Sequence, residues 1–200
     1  MLAPSEPKKL LLAPALKKAG VLLIGPGLGR DTWAEEMFNL TLNHSINQQK
    51  FTVLDADALY WLSKNHCHNP YWVLTPHIGE AARLLACDVA SIEADRFSAV
   101  AAIVAKYGGI CVLKGPGTLV SNGRSTWIMP VGNAGMASGG MGDVLSGVIA
   151  ALLLQMPNTF EAVRLAVYFH SLAADTIANQ GGQRGMLASD LFFELQQLVN

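Results

Sequence analysis

The fifteen residues from Trp72 to Ala86, WVLTPHIGEAARLLA, hold the plan of the chain in miniature. Trp72 to Leu74 is a short apolar run and reads as a strand, which Thr75-Pro76-His77 closes. From Ile78 to Ala86 the apolar residues recur with helical periodicity. The same order recurs on both sides. Upstream, Val21 to Ile24 ends in GPGLG and Phe51 to Leu54 ends in DADAL. Downstream, Ile110 to Leu113 ends in KGPGT. Strand–helix alternation of this kind predicts an α/β fold with a mainly parallel central sheet. In such sheets ligands bind beyond the carboxyl ends of the strands. The polar and glycine residues fall at those ends, which predicts a site assembled from several strands.

The other elements fit around these units. A helix follows GPGLG, opened by Thr32 with Glu35 at the capping-box spacing. A longer helix is expected from Ile92 to Tyr107, stopped by Gly108 and Gly109. Leu119 to Ser121 and Ser125 to Met129 flank Asn122-Gly123, a hairpin signal. NAGMASGGMGD, Asn133 to Asp143, leads into an apolar helix through Leu154. Asn158 with Glu161 caps another helix, and Asp190 opens the last. No repeat, low-complexity tract or linker divides residues 1–200, which are read as one domain.

Composition narrows the partners. Hydrophobic residues make up 51% and charged residues 14% of the chain, as strands covered on both faces require. The formal net charge of −1 gives no electrostatic reason to expect nucleic acid or a membrane surface. No run approaches the roughly 20 apolar residues of a membrane span. The N-terminal stretch Leu10 to Leu16 is broken by Pro14 and stopped by Lys17 and Lys18, so it is not read as a signal peptide. Cys67, Cys87 and Cys111 are odd in number and lack CxxC spacing, which predicts no disulfide framework and a cytoplasmic setting. His66, Cys67 and His68 have no second ligand pair nearby and read as a polar loop.

The richest segment is Asn133 to Asp143. Its four glycines, Gly135, Gly139, Gly140 and Gly142, precede a helix. They let the backbone approach a ligand closely, and the free N–H groups of the first helical turn favour an anion. Asp143 is either a helix-start carboxylate or, beside a bound phosphate, a general base acting on an attacking hydroxyl. Lys114 in KGPGT is either a phosphate-holding point charge or a solvated turn lysine. No Walker sequence occurs, and Gly25, Gly27 and Gly29 do not make the GxGxxG dinucleotide fingerprint. Asp55 and Asp57, two apart, are expected to point to opposite faces and not to pair, although one can face the site. His170 lies in an apolar helix and reads as core.

Taken together, VLLIGPGLGR, VLDADAL, VLTPHIGEAARLL, VLKGPGT, NAGMASGGMGDVLSG and RGMLASDL resemble, in order and spacing, the ADP-dependent (S)-NAD(P)H-hydrate dehydratases that form the C-terminal domain of bacterial bifunctional NAD(P)H-hydrate repair enzymes. The resemblance runs through nearly the whole chain. It implies a ribokinase-like three-layer α/β/α fold. It also implies a lyase that repairs damaged cofactor, removing water from the S epimer of hydrated NADH or NADPH while ADP becomes AMP and phosphate. Asp143 matches the family's acidic residue at the hydrate and is assigned as general base. Gly27, Gly29, His77 and Glu80 join it as substrate contacts. Lys114, Gly115, Pro116, Gly117 and Thr118, with Asn133, Gly139, Gly140 and Gly142, match the nucleotide side.

The resemblance further implies ADP, or ATP, as co-substrate, Mg²⁺ from the logic of phosphoryl transfer, a homotetramer, and an epimerase domain or protein as functional partner. Family domains begin well before GPGLG and carry an epimerase domain in the bifunctional members. The chain is therefore expected to lack part of its domain, and to be unstable or inactive alone. Two alternatives stay open: a ribokinase-like small-molecule kinase, and a nucleotide-binding fragment without turnover.

Overall fold

The computed structural model describes residues 14–199. The first part of the stretch weighed as a signal peptide, from Leu10, lies outside the described residues. Among the described residues six strands form one sheet in the order β1-β2-β3-β4-β5-β6: β1 Leu22–Ile24, β2 Thr52–Leu54, β3 Trp72–Leu74, β4 Ile110–Leu113, β5 Leu119–Ser121 and β6 Thr126–Ile128. The first four are parallel, and β5 and β6 continue the sheet as an antiparallel meander. The carboxyl ends of β1 to β4 therefore open on one edge, as the sequence predicts.

Between the strands lie α1 Thr32–Gln48, α2 Asp57–Lys64, α3 Ile78–Leu85, α4 Val89–Ala94 and α5 Arg96–Tyr107. After β6 come α6 Met141–Gln155, α7 Thr159–Gly181 and α8 Leu191–Leu198. The pleat divides the strand residues between two cores. Leu54, Trp72, Leu74, Cys111, Leu113 and Leu119 face α1, α2, α3 and α5. The alternate residues Val53, Val73, Ile110, Val112 and Val120 face α6 and α7. This is a three-layer α/β/α sandwich. It explains why the strands read as unbroken apolar runs, since both faces are covered. A smaller cluster, with Met141, Ala173, Met186 and Leu191, packs α8 behind α7.

Two local expectations are corrected. The cap of α1 is Asp31, not Thr32: the Asp31 carboxylate accepts from the Ala34 N–H at 2.9 Å. Asp is the stronger acceptor and stands one residue earlier. The helix expected from Ile92 to Tyr107 is two helices. Asp95 turns out of helical geometry, φ −148°, ψ 85°, and caps α5 by accepting from the Ser98 N–H and Oγ–H. Asp190 does open α8 from the N-cap position, but its carboxylate bonds no N–H of that helix: it ends a 3₁₀ turn, Ala188–Asp190, and accepts from the Leu187 N–H at 2.8 Å. The hairpin expected at Asn122-Gly123 forms between β5 and β6, with Asn122 Oδ1 accepting from the N–H groups of Arg124 and Ser125.

Candidate active site

Each parallel strand delivers its turn to the same edge of the sheet. Asp55, the residue after β2, is 1% exposed. Its Oδ1 accepts from Lys114 Nζ at 2.8 Å and from the Ala56 N–H at 2.9 Å, and its Oδ2 accepts from Ser146 Oγ at 2.7 Å. The Ala56 contact requires a reversed peptide, with Ala56 at φ 47°, ψ −118°. Gly25, at φ 131°, lies against the same turn: a Cβ there would sit 1.7 Å from the Asp55 carbonyl oxygen. No residue with a side chain fits that position.

Lys114 follows β4 and is only partly exposed. Its ammonium is paired with Asp55 and lies 3.9 Å from Glu80 Oε2. It also reaches the first turn of α6, where a Cβ on Gly142 would be 3.2 Å from Nζ. It is not a solvated turn lysine. The loop after it, residues 115–118, is braced from outside by Arg96. The guanidinium donates to the carbonyl oxygens of Pro116, of Gly117 at 3.2 Å and of Leu113 at 3.4 Å.

Between this loop, the glycine-rich segment and α7 is a cavity of about 540 Å³. Lys114 to Thr118 form one wall, Asn133, Met141 and Gly142 another, and His170 and Ser171 lie on the α7 side. The lining is mainly apolar with a few polar groups, and the size suits a nucleoside. Asn133 is fixed rather than free. Its Nδ2 donates to Asp175 Oδ1 at 2.8 Å, its Oδ1 accepts from the Gly135 N–H, and Asp175 Oδ2 accepts from the Gly132 N–H at 2.9 Å. Gly140, at φ 86°, starts α6 without a side-chain cap; the Met141 N–H makes a long bond to the Ser138 carbonyl oxygen at 3.5 Å, and the N–H groups of Gly142 and Asp143 stay available for an anion. Asp143 lies in this first turn and is exposed, with no side-chain hydrogen bond or ion pair to a described residue. Gly139 and Gly140, expected on the nucleotide side, do not line the cavity; they precede Met141, which does.

The remaining expected contacts, Gly27, Gly29, His77 and Glu80, lie outside the cavity, beyond the ends of β1 and β3. His77 caps α3. Its Nδ1 accepts from the N–H groups of Gly79 and Glu80, while Glu80 Oε2 accepts from the His77 N–H at 2.8 Å. Accepting at Nδ1 places the ring proton on Nε2. That atom lies 3.5 Å from Glu80 Oε1 on a ring 60% exposed, so His77 presents a donor to solvent. Gly27 and Gly29 have open space where a Cβ would stand. Asp57 holds their loop, accepting from the Gly29 N–H and Arg30 Nε, each at 3.0 Å.

Lys114 thus stands between two regions. One is the cavity; the other is the open surface with Gly27, Gly29 and His77. Sequence reasoning missed Ser146, Arg96 and Asp175 and left open which of Asp55 and Asp57 faces the site, because each acts through a partner 17 to 91 residues away. The spacing of His77 and Glu80 was a legible capping-box signal, with histidine in place of the usual serine or threonine. His170 is buried as expected, and its Nε2 lies 3.0 Å from the Met141 carbonyl oxygen. Burial lowers its pKa to about 4, so the ring is neutral and donates there. Among the described residues no three His, Cys, Asp or Glu side chains converge as a metal site.

A family model described as NAD(P)H-hydrate dehydratase matches residues 3–197. The chain is 45% identical over 190 residues to the bifunctional NAD(P)H-hydrate repair enzyme of Coxiella burnetii, covering 94% of this chain and 38% of that protein. It is 40% identical to the ADP-dependent (S)-NAD(P)H-hydrate dehydratase of Neisseria meningitidis, covering 84% of this chain and 59% of that one. A crystal structure of the ADP/ATP-dependent NAD(P)H-hydrate dehydratase of Bacillus subtilis, co-crystallised with ATP and Mg²⁺, superposes with TM-score 0.79 at 28% identity, over 90% of this chain and 64% of that one. The chain therefore spans about two fifths of the length of the bifunctional relative. The shared architecture is ribokinase-like.

Proposed function

The chain belongs to the NAD(P)H-hydrate dehydratase family, and from that premise we propose that it dehydrates the S epimer of hydrated NADH or NADPH, with ADP as phosphoryl donor. The observation that carries this reading is the position of Lys114 and the α6 N-terminus between a nucleoside-sized cavity and an open glycine loop. Adenosine fills the cavity against residues 115–118. Its phosphates meet the Lys114 ammonium and the free N–H groups of α6. The dihydronicotinamide hydrate lies over Gly27, Gly29 and His77, with its ring hydroxyl toward Asp143.

The chemistry follows from that placement. Asp143 takes the proton of the ring hydroxyl as its oxygen attacks the terminal phosphorus of ADP, and AMP leaves. The resulting phosphate ester then departs as inorganic phosphate, drawn out by the ring nitrogen's lone pair. Loss of a proton from the neighbouring carbon restores the ring double bond. No electron is gained or lost overall. Mg²⁺ would be held chiefly by the nucleotide phosphates and water, as its preference for phosphate oxygens allows. That fits a site whose described residues offer no three-ligand cage.

The fuller setting belongs to the same proposal: a cytoplasmic enzyme working with an epimerase that supplies the S hydrate, and a homotetramer. Free cysteines support the reducing compartment. Phe192 and Phe193, exposed on α8, offer apolar surface for self-association. Among the described residues no helix is long and apolar enough to cross a membrane.

The test is turnover. Hydrated NADH, Mg²⁺ and ADP should return near-ultraviolet dihydronicotinamide absorbance. Asp143→Asn should lose roughly 100- to 10,000-fold in kcat while still binding ADP, as removal of a general base does. A stable phosphorylated product without absorbance would instead identify a small-molecule kinase. Full turnover in the Asp143 variant would remove the base from the mechanism.

A further inference from the structure

Among the described residues, the charged side chain most deeply buried at the strand ends is not one that lines the cavity. Asp55 is 1% exposed and Ser146 is fully buried, yet together they make a four-point cluster with Lys114 and the Ala56 N–H. A buried carboxylate is tolerated only when its oxygens are all satisfied. Here Oδ1 takes the lysine and the strained peptide, and Oδ2 takes the serine. Ser146 could have bonded back to its own helix, as mid-helix serines do. It donates across 91 residues of sequence instead. The backbone at Ala56 is held in a conformation that L residues rarely adopt, and the N–H it turns inward bonds Asp55 Oδ1. Strain of this kind persists where the surroundings over-determine it, and it gathers at functional sites.

The cluster also ties three elements. Asp55 comes from β2, Lys114 from β4 and Ser146 from the second turn of α6. Gly142, one turn before Ser146, leaves no side chain between the ammonium and the helix N-terminus. A Cβ there would crowd Lys114 Nζ at 3.2 Å and sit 3.6 Å from Asp55 Oδ2.

We propose that Asp55 and Ser146 are positioning residues that lock the Lys114 ammonium against the first turn of α6, so that it meets the transferring phosphoryl group rather than following the nucleotide's mobile phosphates. This rests on the nucleotide reading of the site. A lysine on a four-carbon stem is a flexible point charge. A phosphate could draw it anywhere within its reach. The Asp55 carboxylate, itself fixed at both oxygens, confines it to one place. Position matters here because phosphoryl transfer depends on aligned electrostatics rather than on covalent chemistry from the protein.

The lock gives a kinetic signature that a purely structural role does not. In Asp55→Asn the lysine keeps its charge and loses its anchor. The KM for ADP should stay within about threefold of the parent, while kcat falls at least about tenfold. Ser146→Ala should move the same way by less. Lys114→Met should weaken ADP binding and lower the melting temperature by stranding Asp55. The double variant Asp55→Asn, Lys114→Met should recover part of that temperature and lose no further kcat. Calorimetric ADP binding, steady-state kinetics and thermal melting of all four proteins read these effects.

Unchanged kcat in a folded Asp55→Asn, or equal effects of that substitution with and without Lys114, overturns the lock. If the parent chain binds no adenine nucleotide, the functional reading fails. The melting cycle then still decides whether Asp55 and Lys114 are coupled, and additive shifts would reject the lock as well.

Discussion

Ala56 occupies φ 47°, ψ −118°, and Gly25 packs against the carbonyl of the preceding residue. The strain at Ala56 has a magnitude of about 1–3 kcal/mol. Glycine adopts that conformation without steric penalty but adds entropy to the unfolded chain, worth about 0.5–1 kcal/mol. Ala56→Gly should therefore leave stability in urea unchanged or raise it by about 1 kcal/mol. A clear loss would mean that the alanine methyl has a packing role. Gly25→Ala should fail to fold, because its Cβ would overlap the Asp55 carbonyl. At this scale the residues DADAL were visible in the sequence, but the partner of Asp55 was not. The two carboxylates do part, but not by strand alternation, which puts residues two apart on one face; they part because Asp57 begins α2. Local sequence cannot say that one carboxylate meets a lysine 59 residues on and that the other holds the Gly29–Arg30 turn.

Helix α5 begins where Asp95 leaves helical geometry, and its first residue, Arg96, reaches out to the loop after β4. The two residues have separable effects. Asp95→Ala removes a cap that accepts from two groups of Ser98 and should reduce stability by about 1 kcal/mol, read from denaturant midpoints. Arg96→Met removes hydrogen bonds to three carbonyl oxygens of residues 113–117. It should raise the KM for ADP roughly tenfold with little change in kcat, since a charge-assisted brace on a binding wall is worth about 1.5–3 kcal/mol at most. A kcat effect as large as that on KM would place Arg96 in the chemistry itself. Apolar periodicity runs smoothly from Ile92 to Tyr107, so the break was legible only in the letters Asp95 and Ser98. Their spacing is a cap signature within an otherwise helical pattern.

His170 couples the site to the stability of the whole sandwich. It is buried in α7 and donates to the Met141 carbonyl at the start of α6. Burial is the main cause that lowers its pKa from 6.5 to about 4; the Met141 hydrogen bond opposes this, and repulsion from Lys114 adds to it. The unfolded chain therefore takes up a proton that the folded chain refuses. The stability this group contributes is full above pH 6.5 and is lost as the pH falls toward about 4. The loss is about 3 kcal/mol across that window. His170→Gln keeps a donor for Met141 and cannot titrate, so its unfolding free energy should flatten over the same range. An acid slope identical to the parent's would mean that other groups carry it.

By itself the sequence determined the α/β sandwich, because strands covered on both faces must read as apolar runs and their ends must carry the turns. It also placed GPGLG, DADAL, TPH and KGPGT at one edge of a parallel sheet, since all parallel strands end on the same side; that Gly142 of the glycine loop, which follows the antiparallel β6, meets Lys114 there was decided by the tertiary structure. Sequence reasoning misassigned the cap of α1 and joined α4 to α5, where the carboxylates of Asp31 and Asp95 take the N–H groups at the helix starts. Only the tertiary structure decided which charges meet. Lys114 to Asp55, Ser146 to Asp55, Asn133 to Asp175 and Arg96 to the loop carbonyls are contacts between distant segments. Local propensity and periodicity act within a few residues, whereas these pairs exist because the fold brings the strand ends and the loop after β6 within hydrogen-bond reach of α5, α6 and α7.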